Sequence, residues 1–136
     1  MIRILIFSFI LLSSLFSFGQ EIGSVKNGNH SIKLLKSNNQ FLVVYSDLNS
    51  ENFNNKSFHF PNKNTIYNII VDGFDAVNDH QVIVKTNNDT IIKFEFKKIK
   101  GEKMLKIKQN NLMSNTFSTS AFFTKNEILN IFKEKA

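Results

Sequence analysis

Apolar and polar positions change rhythm several times along this chain, and each change marks an element. Ile4 to Leu12 is an apolar run broken only by Ser8. Met1-Ile2-Arg3 precedes it with one positive charge, and small residues follow before the polar Gln20-Glu21. A basic start, a short apolar centre and small residues at the exit form a secretory leader. Ser17 and Gly19 suit a cut after Gly19, and a cut after Gln20 also fits. The run is shorter than the about 20 apolar residues a membrane-spanning helix needs. The expected division is a signal peptide over 1–20 and one domain over 21–136.

Residues 20–29 are polar and glycine-bearing, and read as a loose lead-in. Alternation begins at Ser31: Ile32 and Leu34, then Phe41 to Tyr45, flank a turn-rich Lys36–Gln40 and predict a hairpin. Phe41-Leu42-Val43-Val44-Tyr45 is apolar on both faces, as expected inside a sheet. Lys56 to Phe60 reads as a short strand stopped by Pro61. Ile66, Ile69, Ile70, Phe74 and Val77 then recur at helical spacing, with Asn64 or Thr65 as the cap. Two ends fit this helix. It stops at Gly73, or it runs on to Val77 with Gly73 allowing close approach to the sheet.

Period two returns at Gln81 to Thr86 and Thr90 to Ile99, and Lys103 to Gln109 repeats it after Lys100-Gly101-Glu102. These segments predict a three-strand meander, and 116–122 adds a further short strand. Thr124-Lys125-Asn126-Glu127 is a capping box, with Phe123 and Ile128 as its hydrophobic staple. The helix it opens presents Ile128, Leu129, Ile131 and Phe132 on one side, with Lys133 and Lys135 at its negative end. The pattern therefore predicts an α+β domain. An antiparallel sheet of about six strands carries a C-terminal helix packed on it.

Composition narrows the classes. Cysteine is absent from all 136 residues, which excludes disulfides, thiolate metal sites and a lipid-modified cysteine at the cut. The formal charge is +6, and every cation after Arg3 is lysine. Arginine, the residue suited to bidentate phosphate recognition, is missing from the domain. With export expected and no nucleic-acid motif present, nucleic acid is not an expected partner.

The candidate chemistry is sparse. Lys93, Lys97, Lys103, Lys106 and Lys108 fall on two adjacent strands, and the alternation places Lys93, Lys97, Lys106 and Lys108 on one wet face. That face suits an unknown protein or an anionic surface; it also suits an ordinary solvated sheet with edge lysines that oppose aggregation. Asp72, Asp75 and Asp79 lie three and four apart, where like charges repel. A bound cation or lysines from elsewhere would offset them, but their spacing lacks the ligand alternation of a calcium loop. His30, His59 and His80 show no metal spacing. No nucleophile motif occurs, and no cofactor is expected. The expected function is a periplasmic or secreted non-enzymatic binding domain, a class that includes inhibitor and immunity-type proteins. A carrier for a small apolar ligand and a hydrolase built on Asp72, Asp75 and His80 are the alternatives.

Overall fold

The computed structural model describes residues 19–86 and 89–133. The segment expected to be a leader, Asn87 and Asn88, and Lys135 lie outside them. Strands β1 (Gln20–Asn27), β2 (His30–Ser37), β3 (Gln40–Ser46) and β4 (Asn55–Phe60) form a first antiparallel sheet in sequential order. Helix α1 (Lys63–Asp75) leads to the second sheet of β5 (His80–Lys85), β6 (Thr90–Ile99), β7 (Glu102–Asn111) and β8 (Thr116–Thr119). A short β9 (Phe123–Thr124) pairs with β7 beyond β8, and helix α2 (Lys125–Ile131) follows. A four-strand meander followed by a helix thus occurs twice.

The α+β class with antiparallel strands and a C-terminal helix on the sheet is what the alternation predicts. The strands divide between two sheets because α1 separates β4 from β5. One expectation is corrected outright. The supposed loose lead-in is β1, an edge strand paired with β2 from Gln20 opposite Lys36 to Asn27 opposite His30, with a shift of register between Glu21 and Gly23. It needs few large apolar residues because its buried contribution is Ile22 and Gly23. A Cβ on Gly23 would sit 2.6 Å from the Ile131 backbone, so α2 lies directly on the strand there.

One core joins both sheets and both helices. Ile32, Leu34, Val43, Tyr45, Phe58 and Phe60 face it from the first sheet; Ile92, Phe94, Phe96, Leu105 and Ile107 face it from the second. Phe58 meets Phe94 edge to face at 6.0 Å. The Tyr45 hydroxyl ties the sheets together, donating to Gln109 Oε1 at 2.9 Å and sharing a 2.6 Å hydrogen bond with Ser118 Oγ. Asp47 does the same at the loop after β3, accepting from Asn49 N and Thr119 N at 3.0 and 2.9 Å.

Helix α1 starts earlier than the pattern suggests. Asn62, just after Pro61, is the N-cap and accepts from Asn64 N. At its far end the helix continues through Gly73 to Asp75 and stops short of Val77, which is 91% exposed. Lys103 supplies the missing cation at this C-terminus, donating to the carbonyls of Ala76 and Asn78. Helix α2 has the expected capping box, with both reciprocal hydrogen bonds present, and Phe123 and Ile128 are both buried. Thr124→Ala should therefore lower stability by about 1 kcal/mol, measured as a shifted urea midpoint with unchanged slope.

Candidate functional site

The register of the second sheet fixes what its outward face displays. With Phe94, Phe96, Leu105 and Ile107 turned to the core, the alternate positions point away. Four rows cross the strands. Lys85, Ile91, Asn110 and Phe117 form the first, and Ile83, Lys93, Lys108 and Thr119 the second. Gln81, Glu95 and Lys106 form the third, and Lys97 and Met104 begin the fourth. Gly73 of α1 meets Phe96, and Ile128 and Ile131 of α2 join the core, so both helices pack on the opposite side; the outward residues of the rows are half-buried or exposed.

Lys93, Lys97, Lys106 and Lys108 therefore share one surface. Lys103 does not. It stands on the core-side parity of β7, where it serves the end of α1. Sequence alternation alone shows this parity, since Lys103 is in phase with Leu105 and Ile107.

Glu95 is the carboxylate that stands among these lysines. Lys93 and Lys108 face each other directly across the strands, a repulsive placement by itself. Glu95 Oε2 lies 3.1 Å from Lys108 Nζ and 4.0 Å from Lys93 Nζ. Partial burial pushes the Glu95 carboxyl up, but the Lys108 hydrogen bond and the charges of Lys108, Lys93 and Lys106 outweigh it. The net result holds the group below the ordinary glutamate value. Lys106 Nζ in turn sits over the Phe122 ring, 4.6 Å from its centroid.

The face also carries apolar residues. Phe117 and Ile83 are each 60% exposed. A cleft of about 250 Å³ runs between Ile91 and Phe117, with Lys93 and Lys108 beside it and Asn110 in its wall. A second cleft, about 550 Å³, is lined by Asp79, His80, Glu95 and the lysines of the same sheet. The clefts lie along the surface, while the core Phe and Ile side chains pack against one another.

The three aspartates do not converge. Asp72 is exposed on α1, Asp75 pairs with Lys125 at 3.1 Å, and Asp79 Oδ1 accepts from Lys98 N at 3.2 Å. The Lys125 ammonium and the Lys98 backbone N–H thus satisfy two of the three carboxylates. No group of three metal-ligating side chains assembles among the described residues. His80 is exposed with its ring 6.1 Å from Phe96, His59 is exposed on β4, and His30 packs edge to face on Phe53 at 5.0 Å. No described helix is long and apolar enough to cross a membrane. No protein-family model, curated protein or solved structure matches the chain.

Proposed function

We propose that the chain is an exported, non-enzymatic binding domain, and that the outward face of its second sheet docks on an acidic surface of another protein. The observation that carries this reading is the outward sheet face on which Lys93, Lys97, Lys106 and Lys108 stand around Glu95, with Lys85 two rows away. Charge of one sign on a flat surface steers an oppositely charged partner and selects its orientation. The lysines alternate with Ile83, Ile91, Met104 and Phe117, and a mixed surface of this kind gains from apolar burial as well. Three interstrand steps of about 4.8 Å and three two-residue steps of about 6.8 Å span roughly 14 by 20 Å between Cα atoms. With its side chains the face approaches the about 800 Å² that each side of a standard interface buries.

An inhibitor or immunity-type protein needs nothing more than such a surface on a stable scaffold. Export is supported by the leader pattern and by the position of β1, which starts at Gln20; a cut after Gly19 leaves the whole strand in place. The carrier and hydrolase alternatives find less support. The first needs a cavity inside the core, and the second needs Asp72, Asp75 and His80 gathered in a cleft.

The test is capture of partners from the envelope and medium of the source cell, using the wild type and a Lys97→Glu/Lys106→Glu variant. The expected result is a stoichiometric acidic protein whose affinity falls about 10- to 100-fold in the variant, more steeply at low salt. Reversal of Lys26 and Lys33 on the first sheet should leave it unchanged. Equal affinity of wild type and Lys97→Glu/Lys106→Glu, with equal thermal midpoints, would remove the lysine face from consideration.

A further inference from the structure

We infer that the cleft between Ile91 and Phe117 is the anchor pocket of this docking face, built to take one aromatic side chain flanked by carboxylates from an acidic partner protein. The inference rests on the docking reading above and makes it specific. Three observations converge on the cleft. First, its volume of about 250 Å³ falls below the about 300–1,000 Å³ of typical small-molecule sites and is enough for one large side chain. Second, its apolar walls, Ile91 and Phe117, lie in the same row on either side of Asn110. The cations Lys93 and Lys108 lie one row away, so apolar and anionic groups on adjacent residues of a partner would both be matched.

Third, Asn110 Oδ1 is screened from solvent and has no hydrogen-bond partner among the described residues. An amide oxygen left in that state is costly, and flanking apolar residues on the same face offer it nothing. A donor seated in the cleft, such as a tyrosine hydroxyl or a backbone N–H, would satisfy it. An aromatic anchor that fills a desolvated pocket and completes a buried hydrogen bond is the usual form of a binding hot spot. Glu95 has a part as well. It holds Lys108 while the face is empty and gives way to a partner's carboxylate, which limits binding to ligands that bring both charge and ring.

The experiment titrates ¹⁵N-labelled protein, expressed from the full chain, with two acidic pentapeptides that differ only in a central tyrosine or alanine. The tyrosine peptide should move the Asn110 side-chain amide and the Ile91 and Phe117 backbone resonances, and bind at least fivefold more tightly than the alanine peptide. Phe117→Ala and Asn110→Ala should abolish that difference while leaving shifts at Lys93 and Lys108. Equal affinity for both peptides, with shifts confined to the lysines, overturns the anchor pocket and leaves the docking face standing. No shift at the lysines with either peptide overturns both.

Discussion

Gly73→Ala should destabilise the protein by about 2 kcal/mol or more, although alanine is the better helix former by about 1 kcal/mol. The reason is distance. A Cβ at this position would lie 2.1 Å from Phe96 Cε2 and 2.2 Å from Cζ, well inside contact. Phe96 cannot swing aside, because it is fully buried and set edge to face against Phe74 at 5.2 Å. The clash must be relieved by moving α1 off β6, which opens the core along Ile66, Ile70 and Phe74. Chemical denaturation reads the loss. Adding Phe96→Leu should recover part of it, a coupling expected only between groups in contact. Asp72→Ala, exposed on the same helix, is the control and should cost nothing. A Gly73→Ala protein as stable as wild type would mean that helix and sheet do not meet as closely as described.

A comparable loss is expected in alkali, and Tyr45 is its source. Burial pushes this phenol up to about 12, with the Ser118 hydrogen bond opposing the rise and the charge of Asp47 adding to it. The folded state holds the proton more tightly than the unfolded chain does. Its contribution is therefore complete below pH 10 and is lost between about pH 10 and 12, roughly 2–3 kcal/mol in all. Absorbance of tyrosinate checks it directly. Of the two tyrosines, one should ionise only near pH 12 or together with unfolding. Tyr45→Phe should remove that late step while lowering stability at neutral pH by about 1 kcal/mol, since Ser118 and Gln109 lose a partner. A late step that persists in Tyr45→Phe would assign it elsewhere.

Residue alternation made much of the second sheet legible. Ile92, Phe94 and Phe96 against Lys93, Glu95 and Lys97 could be read only as one buried and one wet face, and the grid of lysines follows. The α2 capping box was equally plain, because it is made by residues within four positions of each other. What stayed hidden depends on long-range contact. Strand β1 has little pattern of its own, and its edge position is set by β2 and by α2 lying on Gly23. The end of α1 was ambiguous because its cap is Lys103, 27 residues away. The cleft beside Phe117 needed three strands in register before Ile91, Asn110 and Phe117 became neighbours. The split into two sheets was invisible for the same reason: pairing order is not written in any single strand.

The way the helices cross has a consequence for the order of assembly. Helix α1 rests on β5, β6 and β7, beyond the meander that precedes it, while α2 returns to β1 and β2 at the start of the fold. The first sheet's inner face, with Phe58 and Phe60, finds its cover only in segments made later, and Ile131 and Phe132 close it last. The native contacts of the first sheet are therefore expected to be completed only once α2 is in place. Contacts that span the sequence in this way fold slowly. Under the export proposed above, slow closure of this kind would favour passage through a membrane before the fold is complete.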